Sequence, residues 1–260
     1  MSTREEKMQA FGRLLDVMDR LRAECPWDRE QTTESLRPNT LEEVYELSDA
    51  IMAGQTEEIK KELGDVLLHI VFYSKIAEEQ GSFDVATVCH ALCDKLIYRH
   101  PHVYGEVEVS GSEAVVSNWE QLKQREKGGN KSVLSGVPSS LPALIKAYRV
   151  QDKARAVGFD WEQPSDAWGK VEEELSELRE AFVQSNEEAM HIELGDFIFS
   201  LVNIARLYKL NPDNALEATN QKFIRRFNYI EARAGELGKQ LKDMTLAEMD
   251  ALWNEAKTFE

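Results

Sequence analysis

The chain repeats itself, and that repetition constrains its fold more than any other feature. Leu41-Glu-Glu-Val-Tyr-Glu-Leu47 returns as Glu172-Glu-Glu-Leu-Ser-Glu-Leu178, and Glu62-Leu-Gly-Asp65 returns letter for letter as Glu193-Leu-Gly-Asp196. The offset is 131 at every acidic position, pairing Glu42 with Glu173, Glu43 with Glu174, Glu46 with Glu177, Glu62 with Glu193 and Asp65 with Asp196. The flanks follow: Cys25-Pro-Trp-Asp28 faces Gly158-Phe-Asp-Trp161, Lys95 and Arg99 face Lys222 and Arg226, and Trp119 and Lys123 face Trp253 and Lys257. Self-similarity of this extent means two copies of one supersecondary module. Arg125-Glu-Lys-Gly-Gly-Asn-Lys-Ser132 and Pro138-Ser-Ser140 have linker composition. The expected layout is an N-terminal module over 1–127, a linker over 128–140 and a C-terminal module over 141–260.

Each module reads as helical. Phe11, Leu14, Leu15, Met18 and Leu21, and later Leu201, Ile204 and Leu207, recur at the spacing of one helix face. Strand-like alternation is confined to Val107-Glu-Val-Ser110, which lies beside Gly105 and Gly111 and is taken as loop. The fold class is therefore all-α. Thr40 is expected to cap a helix from Leu41, Gly54 to end it, Ser82 and Ser165 to cap others, and Pro212 to open another.

Composition excludes several functions. With 31 Lys+Arg against 47 Asp+Glu, the net charge of −16 opposes unaided binding to nucleic acid or an anionic membrane. A phosphate-bearing partner must then arrive with cations. The apolar stretches around Val66–Tyr73 and Phe197–Ala205 are too short to span a bilayer, and the first residues lack a signal-peptide core. The three cysteines form no CxxC pair, and Cys89 and Cys93 are expected along one helix as packing residues, so a reducing, cytoplasmic setting is expected. His100 and His102 flank Pro101 and read as a turn at a helix end rather than metal ligands.

The duplicated acids carry the chemistry. Glu43 with Glu46, Glu174 with Glu177, Glu62 with Asp65 and Glu193 with Asp196 are each spaced i, i+3, so each pair leaves one helix face within a turn. Each ExxD runs into an apolar stretch, which places its acids at the end of a buried helix. Four carboxylates converging there repel unless a cation neutralises them. A single EExxE is an ordinary solvated helix face, but its duplication together with ExxD favours a metal. Oxygen-only ligands suit Mg²⁺ or Mn²⁺, whereas a di-iron bundle would place Glu-x-x-His where this chain has Glu-x-x-Asp. Gly64 and Gly195 inside these helices cost about 1 kcal/mol each relative to Ala, and a close helix approach is expected to offset that.

EExxE followed by ExxD, twice, in an all-α chain with a GFDW segment, resembles the MazG nucleoside triphosphate pyrophosphohydrolases of the all-α NTP pyrophosphatase superfamily. The resemblance covers nearly the whole chain, including Lys222-Phe-Ile-Arg-Arg226-Phe227 and Trp253. It implies a two-domain, homodimeric, Mg²⁺-dependent enzyme that converts a nucleoside triphosphate to the monophosphate and pyrophosphate. By that resemblance Glu174, Glu177, Glu193 and Asp196 bind metal, with Glu43, Glu46, Glu62 and Asp65 as the N-terminal counterparts. A carboxylate beside the metal, Glu173 or one of the ligands, would activate water. Lys170, Lys222, Arg226 and Trp253 are the candidate substrate-binding residues, the last by stacking on a base.

Two features bear on division of labour. The lysine that family members carry shortly before ExxD is missing from Glu188-Ala-Met-His-Ile192, while the N-terminal copy has Lys60-Lys61. Pro101 should stop the helix bearing Lys95 and Arg99, whereas Arg226-Phe-Asn-Tyr-Ile230 continues at helical spacing, so the C-terminal copy is expected to carry most turnover. The alternatives are another carboxylate-metal helical enzyme and a non-catalytic nucleotide- or partner-binding regulator.

Overall fold

A computed structural model of the chain describes residues 1–107 and 132–259, with Val109, Gly111, Val115, Asn118 and Leu122. Trp119 and Lys123, paired above with Trp253 and Lys257, lie outside the described residues, as does the expected linker up to residue 131. Every regular element among the described residues is helical. The chain divides into two units, Met1–Glu108 and Val109–Glu260.

The first unit contains α1 (Arg4–Glu24), α2 (Pro26–Glu30), α3 (Thr33–Ala53), α4 (Thr56–Glu79), α5 (Val85–Arg99) and α6 (Pro101–Tyr104). α3 and α4 form a hairpin, closed by Gly54 at φ 66°, a left-handed conformation that glycine adopts without Cβ strain. Met18, Leu36, Val71, Phe72 and Ile76 make the core, with Phe11, Leu14 and Leu15 packed against it. The first apolar stripe is thus a core face, although Leu21 stays partly exposed.

α3 begins a full two turns earlier than the sequence suggested. Thr32, not Thr40, is the cap, accepting from the Ser35 N–H while the Ser35 hydroxyl accepts from the Thr32 N–H. Pro38 sits inside the helix and removes one of its hydrogen bonds. Burial outweighs that loss: Leu36 is 2% exposed in the core, so the turn before Pro38 is held helical by packing. Thr40 instead donates its hydroxyl to the Leu36 carbonyl at 3.0 Å. Ser82 and Ser165 also give way as caps, to Asp84, whose carboxylate accepts from the Thr87 N–H at 2.7 Å, and to Gln163 ahead of Pro164.

The second unit contains α7 (Ala143–Arg155), α8 (Pro164–Val183), α9 (Glu187–Leu207), α10 (Pro212–Glu236), a 3-10 turn (Leu241–Asp243) and α11 (Leu246–Ala256). α8 and α9 form the hairpin equivalent to α3 and α4, and α7 packs on α9 and α10. Ala167, Val171 and Ile204 form one core, and Ile230, Ala234, Met244 and Leu252 form another between α10 and α11. As expected, Pro212 opens α10 behind an Asn211 cap, and α5 stops at Arg99 while α10 runs on past Arg226. His100 and His102 lie where α5 gives way to α6. Cys89 and Cys93 share α5 as free thiols, but both are exposed rather than packed. No helix among the described residues is long and apolar enough to cross a membrane.

The duplicated helical glycines are not sites of close approach. A Cβ added at Gly64 or Gly195 would meet nothing within 4 Å. The space beside both ExxD motifs is open, because each hairpin contacts its partner helix through other positions. Gly195→Ala and Gly64→Ala are therefore expected to stabilise the folded chain by up to about 1 kcal/mol each through helix propensity alone, measured as a shift in the urea midpoint; a lower midpoint would show that the space is filled in solution.

Candidate metal centres

Each hairpin gathers carboxylates from both of its helices. In the first unit Glu43 of α3 meets Glu62 and Asp65 of α4, and in the second Glu174 and Glu177 of α8 meet Glu193 of α9. Within each group the oxygens lie within 4.8 Å of one another. Of the four acids expected in each unit, Glu46 and Asp196 fall outside these groups: Glu46 adds to the charge felt by Glu43, and Asp196 lines a cavity with Glu174.

The cost of this crowding is visible in the acids themselves. Partial burial, then repulsion from Asp65, Glu46 and Glu62, pushes the Glu43 carboxyl above its ordinary range. Glu177 is pushed up in the same sense by desolvation and by Glu174 and Glu193. One acid per unit is deeply buried, and it is not the same one: Glu62 is 4% exposed in the first unit, Glu174 is 6% exposed in the second. A lysine finds the buried acid in each case. Lys61 Nζ lies 2.8 Å from Glu62, and Lys170 Nζ lies 2.7 Å from Glu174 and 2.9 Å from Glu173. These pairs hold both ammonium groups above their ordinary lysine range, Lys61 through Glu62 and Lys170 through Glu174 and then Glu173.

A single ammonium does not satisfy the cluster. Glu62 Oε2 is buried with no hydrogen-bond partner, a state that costs on the order of 1–3 kcal/mol or more for a charged group. An all-oxygen set with an orphaned carboxylate oxygen, at this spacing, fits a hard divalent cation. Glu43, Glu62 and Asp65 would hold it in one unit and Glu174, Glu177 and Glu193 in the other.

A cavity of about 720 Å³ adjoins the second cluster, its wall including Lys170, Glu174 and Asp196, the Asp160–Arg206 pair, and Phe159, Trp161 and Phe199. Its Phe159–Trp161 wall is pinned by an ion pair invisible in the motif spacing. Arg206 of α9 holds Asp160 through both guanidinium nitrogens, one at 2.9 Å, and is itself braced by Asn203 Oδ1. Burial works against the Asp160 charge, but the bonds from Arg206 and from the Trp161 N–H prevail and hold its carboxyl below the usual range. The first unit pins its own turn differently, with Arg22 of α1 donating to the carbonyls of Asp28 and Gln31 and pairing with Glu79.

The units also differ in how the space next to the cluster is filled. His69, one turn beyond Asp65, is buried, with Nδ1 at 3.0 Å from the Thr40 hydroxyl, which in turn bonds Tyr73 at 2.6 Å. At the same offset of 131 stand Val171, Ser200 and Ile204. Ser200, with a much smaller side chain than His69, lines the cavity.

Of the remaining candidates, Arg226 lies over the Trp253 ring at 5.2 Å, and Phe223 meets that ring at 5.1 Å. Trp253 packs against the core between α10 and α11. Lys222, Arg226 and Trp253 are not among the residues lining the cavity.

Comparison with known proteins agrees with this arrangement. The MazG nucleotide pyrophosphohydrolase domain matches residues 31–104 and 165–230, which contain both hairpins. The chain is 41% identical over 250 residues to the nucleoside triphosphate pyrophosphohydrolase/pyrophosphatase MazG of Thermotoga maritima, covering 95% of each protein. It is 39% identical over 259 residues to the nucleoside triphosphate pyrophosphohydrolase of Escherichia coli, covering 96% of this chain and 98% of that one. Similarity at 44% identity extends over 263 residues to YabN of Bacillus subtilis, spanning 99% of this chain and 54% of the relative.

Repulsion among the clustered acids predicts a stability signature. An acid whose folded pKa is raised favours the folded state below its unfolded pKa and loses that contribution as pH rises through the folded value. Glu43→Gln and Glu177→Gln are thus expected to raise the metal-free melting temperature at neutral pH, while Mg²⁺ raises that of the parent more than that of either variant. Differential scanning calorimetry with and without Mg²⁺ checks both.

Proposed function

The chain belongs to the MazG nucleotide pyrophosphohydrolase family and is a hydrolase of that type, and from this premise we propose that it cleaves nucleoside triphosphates, ribo- and deoxyribo- alike, to monophosphate and pyrophosphate with Mg²⁺. The observation that carries the reading is the gathering of carboxylates in the hairpins of both family-matched segments, within 4.8 Å in each unit. Mn²⁺ would serve the same oxygen ligands.

In the reaction, water adds across the anhydride linkage between the α- and β-phosphates; the bridging P–O bond breaks and pyrophosphate leaves. Bound divalent ions would offset the polyphosphate charge in this acidic protein and stabilise the attacking and leaving oxygens. The protein side chains do the rest. Glu174, Glu177, Glu193 and Asp196 would hold the cation, with Glu43, Glu46, Glu62 and Asp65 as a second set. Lys170 ties Glu173 to Glu174, which keeps the exposed Glu173 carboxylate beside the cluster as the group that orients water and accepts its proton. Lys170 lines the cavity beside Glu174 and Asp196 and would meet the phosphates there; Lys222 and Arg226, the latter over the Trp253 ring, lie outside the cavity wall and would reach only a part of the substrate that extends beyond it.

The C-terminal unit is the main catalyst in this reading. Its cluster opens onto a cavity where Ser200 replaces a bulky histidine, and α10 carries Lys222 and Arg226 without the interruption that Pro101 makes after Arg99. A panel of NTPs and dNTPs with Mg²⁺, assayed for pyrophosphate, tests the activity. Glu193→Gln/Asp196→Asn is expected to lower turnover by about a hundredfold or more, since even the loss of a residue supporting a ligand costs up to that, and Glu62→Gln/Asp65→Asn to leave most of it. The reverse pattern would place catalysis in the first unit.

The hairpins also leave large apolar side chains uncovered. Val44, Leu63 and Ile70 in the first unit, and Phe182, Ile192 and Ile198 in the second, are each more than 40% exposed. A second copy of the chain would bury such faces, so the protein is proposed to be a homodimer. Light scattering at micromolar concentration is expected to give twice the 29.7 kDa chain mass, and a monomer would refute it.

A further inference from the structure

α5 carries chemistry that neither carboxylate centre uses. Cys89 and Cys93 are free thiols, both exposed, on a helix that has no buried residue. An unpaired cysteine behaves as a small apolar side chain and is among the residues most often found inside. Packing therefore explains neither thiol. They stand four residues apart within the regular helix Val85–Arg99, on one face and about one turn from each other. That spacing sets their Cβ atoms about 5–6 Å apart, too far for a disulfide, which needs about 3.5–4.5 Å.

A cation between the sulfurs has the reach that a disulfide lacks. With metal–sulfur bonds of about 2.3 Å, two thiolates on a tetrahedral ion lie about 3.8 Å apart, and their Cβ atoms then match the helical spacing without bending the backbone. A third donor stands next to the pair. His90 is exposed and precedes Cys93 by three residues, which makes the two neighbours on the helix surface. Among the described residues, the groups of three or more donors already within 4.8 Å of one another are the two carboxylate clusters. The α5 set thus closes by rotation about side-chain bonds, which exposure permits.

We propose that Cys89, Cys93 and His90 form a site for a thiophilic divalent cation of the zinc class, with water in the fourth position. Two S–H bonds give up their protons to solvent as the two metal–sulfur bonds form, and the imidazole binds through a neutral ring nitrogen; no electron changes hands. The donors set this site apart from the carboxylate centres. Thiolate and imidazole select zinc-like ions, whereas Mg²⁺ keeps to oxygen. One chain would thereby sort two classes of cation by ligand chemistry.

Co²⁺ tests the site, because thiolate ligands give it a near-ultraviolet charge-transfer absorption that carboxylates do not. The reduced, full-length chain is titrated with Co²⁺ in excess Mg²⁺, which keeps the carboxylate centres occupied. The absorption is expected to saturate at one equivalent per chain and to vanish when Zn²⁺ is added. Cys89→Ser and Cys93→Ser are each expected to lose it and Cys25→Ser to keep it, all with the helical circular dichroism of the parent. His90→Ala is expected to bind Co²⁺ at least about tenfold more weakly, since even a residue that only supports a ligand is worth that much. Absence of the absorption in the parent, or its survival in either serine variant of the pair, overturns the proposal. Saturation at half an equivalent overturns the single-chain site, and unchanged affinity in His90→Ala overturns the three-donor set. A second measurement needs no variant: Zn²⁺ is expected to slow alkylation of Cys89 and Cys93, read residue by residue by mass spectrometry, and unslowed alkylation of the pair overturns the proposal.

Discussion

Mutual repulsion among carboxylates at one end of each helical hairpin is the constraint around which both units are organised. Folding brings the acids together because the apolar faces of α4 and α9 are buried against their partner helices, and the acids ride on those same helices. The charge must then be met. One carboxylate per unit is taken out of water and a lysine follows it, Lys61 to Glu62 from the neighbouring position and Lys170 to Glu174 from one turn earlier. The two copies thus solve one electrostatic problem with different residues. A buried pair of this kind costs desolvation that its attraction only partly returns, and one Glu62 oxygen is left buried without a hydrogen-bond partner.

From the same scaffold the units diverge in what they leave open. The first closes the region beyond its cluster with a polar chain of Thr40, His69 and Tyr73, and burial holds His69 below its ordinary pKa against the opposing influence of Asp65. The second puts Val171, Ser200 and Ile204 at those positions: Val171 and Ile204 pack in its core and Ser200 lines a cavity of about 720 Å³. Divergence extends to the segment that precedes each hairpin. Arg22 reaches it from α1 in one copy and Arg206 from α9 in the other; at the offset of 131 Arg206 falls on Lys75, which pairs with Asp19 and Glu78 instead.

Local signals in the sequence failed where tertiary burial overrode them. Thr40 followed by an acidic, apolar run reads as a helix start, and Pro38 as a reason for the helix not to begin sooner; the core demand on Leu36 reversed both. Gly64 and Gly195 read as contacts between helices, yet both face open space, because residue identity does not reveal what lies across from a helix face.

Periodicity and duplication by themselves determined the all-α class, the two modules, the pairing of acids across an offset of 131, and the oxygen-only character of the clusters those acids form. These properties follow from spacing along a helix, which the chain carries locally. Only the tertiary structure decided which acid of each set is buried, which lysine answers it, and that Arg206 grips Asp160. Those outcomes depend on packing between segments tens of residues apart, where desolvation and volume, rather than spacing, set the energy.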